Sequence, residues 1–179
     1  MNREPMILRQ RLGELLQQWE TEGLPGRRSL NEAALELLTW RTSRSLGGLW
    51  SAAPLMITAT LDDGFGFGLE VIQRFGEAVG LEVRALGLCQ PPEVIVAACR
   101  EHRPALLGLT VLQFDSEEAL VEVAQGLPPE TRLMVGGAIF GADPDLARRT
   151  GVHFVARNAA AFLRYLLRFE PPAVSEISA

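Results

Sequence analysis

The stretch "PLMITATLDDGFGFG", residues 54–68, joins a short apolar run to a loop of two acids, two phenylalanines and three glycines. The apolar run has the length and composition of a buried strand, and the residues after the loop show helical spacing. A strand, a glycine-rich turn and a helix in this order form the first half of a βαβ unit. The stretch therefore predicts an α/β fold whose first loop lies where such folds bind ligands.

The same alternation continues almost to the end of the chain. Four more strand-like runs follow, "LEVRALG" (81–87), "PALLGLTVL" (104–112), "TRLMVGG" (131–137) and "VHFVA" (152–156). Helix-like segments are predicted at 68–79, 92–102, 116–126, 144–150 and 159–169, with Asp115, Asp143 and Asn158 as N-caps. Five strands alternating with five helices predict a flavodoxin-like, doubly wound five-stranded parallel sheet, covered by helices on both faces.

The first fifty residues have a different pattern. Two apolar stripes at helical spacing, one starting at Leu8 and one at Leu30, are separated by the break "EGLPGRR". They predict an N-terminal helical pair. The expected organisation is a helical cap segment over 1–50, an α/β domain over 54–169 and a flexible tail over 170–179.

Composition excludes several classes of protein. The net charge is −5 and the chain contains no lysine, which argues against a nucleic-acid partner and against lysine chemistry. The apolar runs are too short for a membrane span, and the charged start shows no signal-peptide core. A cytoplasmic protein with no membrane partner is expected. Two cysteines are too few for a disulfide framework or a closed zinc site.

Nucleotide and phosphoacceptor sites are also disfavoured. Gly64, Gly66 and Gly68 alternate strictly, so they do not form the G-x-G-x-x-G pattern, and there is no G-K-[ST]. The pair Asp62–Asp63 is similar to the acidic pocket of receiver domains. However, those domains also need an aspartate after the third strand and a lysine after the fifth. This chain contains no lysine, so a phosphoacceptor site is not expected.

Three motifs in order resemble the cobalamin-binding domain of corrinoid methyl carriers, methionine synthase and mutases. Asp63, Phe65 and Gly68 occupy the family's D-x-H-x-x-G positions after the first strand. The triplet 110–112, "TVL", occupies S-x-L, and the pair 136–137 occupies G-G after the fourth strand. The resemblance covers residues 54–169.

The resemblance implies a slot beside the sheet that takes the nucleotide tail of the cofactor. Thr110, Gly136 and Gly137 would line this slot, and Gly68 would let the first helix pack closely. Leu112 completes the second motif. Gly64 and Gly66 flank Phe65 in the loop that would approach the cofactor.

Phe65 is the departure from the family. In the family a histidine at this position supplies a ring nitrogen to cobalt, and the aspartate orients the imidazole. A phenyl ring has no lone pair and cannot ligate a metal. Asp63 is therefore expected to turn to solvent, to backbone amides or to an arginine.

Three explanations of Phe65 remain open. The chain binds a corrinoid base-off or without a protein axial ligand, Phe65 forming an apolar floor under the macrocycle. It would then act as a methyl carrier, or as an accessory subunit to a partner methyltransferase or radical enzyme, without running a complete reaction alone. Alternatively, the domain is a cofactor-free sensory or protein-interaction module, or it holds haem. The retained tail-slot glycines favour the corrinoid.

The remaining aromatic residues have two interpretations. Phe67 is either a second ring at the pocket or a residue packed beneath the first helix, and core packing is the expected role. Trp40 and Trp50 either cap the upper face of the corrin or fix the helical pair to the sheet, and packing is the commoner role of such rings. The helical segment is about half of the family's usual bundle, so a homodimer is one way to complete it.

Neither histidine and neither cysteine is expected to carry chemistry. His102 lies at the end of a helix, and His153 is expected to lie partly buried near the rim of the pocket. Cys89 belongs to a turn, and Cys99 to a helix core.

Overall fold

The computed structural model describes residues 3–172 of the chain, with side chains from residue 5 onward. Five strands form one sheet in the order β2-β1-β3-β4-β5, and all neighbours are parallel. This confirms the flavodoxin-like prediction. Residues 173–179 of the predicted tail lie outside the described part.

The strands begin and end close to the predicted positions. They are β1 Leu55–Thr60, β2 Glu82–Gly87, β3 Leu106–Thr110, β4 Arg132–Gly136 and β5 Phe154–Val155. At the carboxyl end of the sheet Thr60 pairs with Thr110, and Thr110 pairs with Gly136. This register brings two of the predicted motifs side by side.

The helices are α1 Arg3–Glu22, α2 Arg27–Ser43, α3 Phe67–Val79, α4 Pro92–His102, α5 Glu117–Gly126, α6 Ile139–Ala142, α7 Leu146–Arg149 and α8 Ala159–Leu166. A 3-10 turn at Phe114–Ser116 precedes α5. The short α6 was not predicted. Asn158 caps α8 as expected, since its side chain accepts the Ala161 amide at 2.8 Å.

The other two predicted N-caps are wrong. α5 begins after Ser116 and α7 after Asp145, and neither residue makes a side-chain capping bond. The Asp143 carboxylate instead accepts the Asp145 amide and pairs with Arg149.

Alternate residues of each strand point to opposite faces of the sheet and build two cores. One core includes Met56, Leu106 and Met134 and is covered by the N-terminal helices with α3 and α8. The other includes Ile57, Leu107 and Leu133 and is covered by the remaining helices. Both faces are therefore buried, as parallel sheets require.

The N-terminal helical pair packs on the sheet domain. α2 lies along α3, and α1 contacts α8. Trp19 meets Phe75 edge to face at 5.7 Å, and the Trp50 indole donates to the Phe169 carbonyl at 2.9 Å. This packing carries the α1–α2 connection to the carboxyl end of the sheet. Within residues 3–172 no helix is long and apolar enough to cross a membrane.

Candidate cofactor site at the carboxyl end of the sheet

A cavity of about 350 Å³ opens between the sheet and helices α3 and α8. Small-molecule sites measure about 300–1,000 Å³, so this space has the size of a ligand site. Six of the nine predicted site residues line it, namely Asp63, Gly68, Thr110, Leu112, Gly136 and Gly137. The predicted slot is therefore open, and it is not filled by side chains.

The floor of the cavity is formed by the sheet. Thr110 and Gly136 lie side by side in register, and the Thr110 hydroxyl makes no hydrogen bond to another residue of the described part. Gly108, two positions earlier on the same face of β3, also lines the cavity. A Cβ there would lie 2.5 Å from the Met56 methyl carbon. The sequence analysis missed Gly108, although the period of two from Thr110 could have indicated it.

The glycine that ends β4 and the glycine that follows it serve different purposes. Gly137 has φ +135°, and a Cβ at this residue would lie 1.8 Å from the Val111 carbonyl oxygen. At Gly136 the nearest atom to such a Cβ is the Ala156 carbonyl oxygen, at 3.4 Å. The backbone at residue 137 thus leaves no room for any side chain, whereas the glycine at residue 136 keeps the space beside Thr110 clear.

Gly68 has a different role from the expected one. No atom lies within 4 Å of a Cβ built at this residue, so the prediction that it allows close helix packing is wrong. Gly68 stands in the first turn of α3 and lines the cavity. Its missing side chain keeps the cavity open.

The phenylalanine loop lies beside the cavity. Phe65 is 77% exposed and stacks on Phe67 with ring centroids 5.6 Å apart. Together with Gly66 it lines a separate hollow of about 320 Å³ between α3 and β2. Gly66 has φ +67° just before α3, and Gly64 lines neither space. The structure thus presents the Phe65 ring at the surface next to the cavity.

Asp63 is buried and engaged with the backbone of its own loop. Its carboxylate accepts the Phe65 amide at 2.8 Å, and its carbonyl accepts the Thr60 hydroxyl at 2.6 Å. The expectation that Asp63 turns to a backbone amide is confirmed. These bonds hold the loop in a shape that directs Phe65 outward.

Asp62 connects the first loop to the third, a role that sequence analysis did not find. Its carboxylate accepts the amides of Leu112 and Gln113 at 2.7 and 2.9 Å and the Ser116 hydroxyl at 2.7 Å. The acidic pair was considered only as a phosphoacceptor pocket. A clamp between loops leaves no local signal in the sequence.

Phe67 lies at the mouth of the cavity, so the prediction of core packing is wrong. It is 48% exposed, and the Arg27 guanidinium lies 4.0 Å from its ring centroid. Leu24 of the α1–α2 connection and Arg27, the first residue of α2, also line the cavity, together with Arg157. Sequence analysis missed these residues because they come from segments far apart in the chain.

The tryptophans do not line the cavity. Trp50 packs edge to face on Phe169 at 6.1 Å, and Trp40 packs against the same core with Arg44 over its ring. The packing interpretation of both rings is therefore confirmed.

The remaining polar candidates lie away from the site. His153 Nδ1 accepts the Leu133 amide at 3.0 Å, and partial desolvation of the ring and the nearby Arg132 lower its pKa. The expectation that it lies partly buried near the rim is wrong, because the residue is exposed and is absent from the cavity wall. Burial raises the pKa of the Cys99 thiol to about 12, whereas Cys89 is exposed in a turn with φ +49°.

Structural comparison shows the same fold in cobalamin-binding proteins. A cobalamin-binding protein from Desulfitobacterium hafniense DCB-2 matches with a TM-score of 0.73 and 20% identity, over 89% of this chain and 78% of that chain. The monomethylamine corrinoid protein of Methanosarcina barkeri matches with a TM-score of 0.56 and 22% identity, over 64% of this chain and 57% of that chain.

A third structure is the methanol:cobalamin methyltransferase complex MtaBC of Methanosarcina barkeri. It matches with a TM-score of 0.61 and 18% identity, over 89% of this chain and 63% of the matched chain. The described chain therefore spans less than two thirds of the two Methanosarcina chains. A search of curated proteins found no match.

The comparison with protein families identifies the family of this chain. Residues 54–164 match the B12 binding domain, and this range includes all five strands and all nine predicted site residues. Because the match covers more than half of the 179 residues, the chain belongs to the B12-binding domain family.

Proposed function

We propose that this protein binds a corrinoid with its nucleotide tail in the cavity and with Phe65 where the family has a histidine ligand. It then acts as a methyl carrier, or as an accessory subunit, for a partner methyltransferase or radical enzyme. The observation that carries the proposal is the open cavity lined by Thr110, Gly136 and Gly137, directly beside an exposed Phe65.

The cavity suits a tail that ends in an aromatic base. Its deepest residues are apolar, and the glycines at 68, 108 and 136 leave backbone instead of side chains along the walls. Flat rings can approach such backbone closely. The free hydroxyl of Thr110 provides a hydrogen-bonding group among these apolar neighbours.

Phe65 suits a macrocycle held without a protein ligand. The ring is 77% exposed, and the carboxylate of Asp63 is occupied by the Phe65 amide and not by an imidazole. An apolar ring in this place shields the lower face of the macrocycle from water. A corrinoid bound here would supply a cobalt centre for methyl transfer, and a site with Phe65 instead of histidine would offer that cobalt no ring nitrogen from residue 65.

The carrier role is supported by the comparisons. Two of the similar structures are a corrinoid protein and a methyltransferase complex. Exposed apolar side chains also stand on the loops at the carboxyl end, where Leu112 is 42% and Phe114 57% exposed. A partner that delivers or receives the methyl group would approach this edge.

The test is cofactor retention. The purified protein is incubated with hydroxocobalamin, desalted and examined by absorption spectroscopy, and near-equal stoichiometry is expected. Gly68→Leu should abolish retention because its side chain would fill open cavity space, while the fold persists. Gly13→Leu is the matched control, since Gly13 is also helical with no neighbour within 4 Å of its Cβ position and lies in α1.

The alternatives give different results. If the protein retained haemin but not hydroxocobalamin, its ligand would be haem and not a corrinoid. A colourless protein after both incubations would support a cofactor-free interaction module and overturn the proposal.

A further inference from the structure

The cavity changes in chemical character from its deep end to its mouth. The deep end is apolar and buried, with Met56 and Met134 both at most 2% exposed. The mouth carries the exposed polar side chains of Arg27, Arg157 and Asn158. A ligand that fits must have an apolar end and an anionic or polar group at a fixed distance behind it.

The two arginines at the mouth differ from most others in this chain. Arg103 and Arg149, for example, pair with carboxylates at 2.6 Å. Arg27 and Arg157 form no ion pair or hydrogen bond within the described residues, and the Arg27 guanidinium lies over the Phe67 ring. The one carboxylate in the cavity wall, Asp63, accepts the Phe65 amide and pairs with neither arginine.

Two unpaired guanidinium groups at one opening favour an anion. Guanidinium matches the oxygens of a phosphate in a two-point geometry and keeps its charge at every accessible pH. The first turn of α8 adds to the positive potential at the mouth, because Asn158 and Ala159 at the N-terminus of this helix also line the cavity.

We propose that Arg27 and Arg157 bind the phosphodiester of the corrinoid's nucleotide loop, so that the site selects corrinoids that carry a complete nucleotide tail. This inference rests on the proposed corrinoid function. The apolar end of the cavity takes the base, and the phosphate lies at the mouth between the two side chains. Arg27 comes from the helical pair and precedes the matched residues 54–164, so the pair completes the site.

The test compares cobalamin with cobinamide, which has the same corrin ring but lacks the nucleotide loop and its phosphate. Dissociation constants are measured by equilibrium dialysis for the full chain, for Arg27→Gln, for Arg157→Gln and for the double variant. Arg28→Gln is the matched control, because Arg28 neighbours Arg27 and its side chain is 93% exposed and pairs with Glu32. Circular dichroism and thermal unfolding confirm that each variant is folded.

Wild-type protein is expected to bind cobalamin more tightly than cobinamide. Each single variant should weaken cobalamin binding about 10-fold, as expected for losing one charge-assisted contact, and should leave cobinamide binding unchanged. Arg157→Lys keeps the positive charge, so it should lose less cobalamin affinity than Arg157→Gln. Raised salt should weaken cobalamin binding to wild type more than to the double variant, since the charges at the mouth are exposed.

Two outcomes would overturn the inference while the proposed function stands. One is equal cobalamin affinity in wild type and in the double variant. The other is an equal loss of cobalamin and cobinamide in the variants, which would show a general effect on the cavity. If wild-type protein bound neither compound, the proposed function itself would fail, and the inference with it.

Discussion

The backbone of Gly137 lies so close to the carbonyl of Val111 that a Cβ on Gly137 would be 1.8 Å from the oxygen. The Val111 amide in turn donates to the Gly136 carbonyl at 2.9 Å. The backbone after β3 is therefore in direct contact with the end of β4 and the residue that follows it, next to Thr110 in the cavity wall.

Substituting Gly137 should disturb the fold before it disturbs binding. Gly137→Ala combines a strained φ of +135° with a backbone clash, and we expect a loss of about 3 kcal/mol or more in the free energy of unfolding. Gly136→Ala, whose Cβ would have 3.4 Å to its nearest neighbour, should cost less than about 1 kcal/mol. Urea denaturation measures both. An equal loss of unfolding free energy in the two variants would contradict the close contact between Gly137 and Val111.

The Asp62 clamp should control the third loop. Asp62→Ala removes the carboxylate that accepts the amides of Leu112 and Gln113. Both residues are exposed, so water can replace the carboxylate as the acceptor. We expect a modest loss of about 1–2 kcal/mol in stability and faster hydrogen exchange at these two amides. Asp62→Asn, which keeps one acceptor oxygen, should fall between Asp62→Ala and wild type. Unchanged exchange at Leu112 and Gln113 would show that the loop holds its shape without the clamp.

Phe65 should matter for the cofactor and not for folding. Because the ring is 77% exposed, Phe65→Ala should change stability by less than about 0.5 kcal/mol. Losing its contact area should weaken corrinoid binding about 10-fold or more. Phe65→Leu, which keeps an apolar side chain, is the control and should lose less. The idea fails if Phe65→Ala binds cobalamin as tightly as wild type.

Restoring the family histidine should change the bound cofactor. Phe65→His places an imidazole beside Asp63, and a ring nitrogen would then be available to cobalt. The absorption spectrum of the loaded variant should shift toward an imidazole-ligated form, whereas that of Phe65→Leu should match wild type. Identical spectra for Phe65→His and wild type would mean that residue 65 does not face the cobalt.

His153 should make stability depend on pH. Partial desolvation of the ring and Arg132 lower its pKa from 6.5 in the folded chain, so the unfolded chain binds the proton more tightly. The free energy of unfolding should therefore be highest above pH 6.5 and decrease as the pH falls below it. His153→Asn, with an oxygen to accept the Leu133 amide, should flatten this part of the profile. An equally steep profile in the variant would assign the dependence to another group.

The sequence alone was sufficient for the order of strands, the place of the loops and the three family motifs. These features depend on neighbouring residues along the chain. Alternating apolar runs predict parallel strands, and glycines at fixed offsets, such as Gly66 and Gly137, indicate the turns that follow strands. The capping of α8 by Asn158 followed in the same way, because a cap is a contact between residues three positions apart.

Tertiary structure alone decided which residues from distant segments join the predicted ones around the cavity, and which way each side chain points. Asp62 reaches Leu112 across 50 positions, and Arg27 reaches Phe67 from a separate helical pair. Local patterns contain no information about such pairs, because the energy that selects them comes from packing the whole sheet with its helices. For the same reason the sequence favours a core position for Phe67, an apolar residue at the start of a helix, although the fold leaves it at the mouth of the cavity.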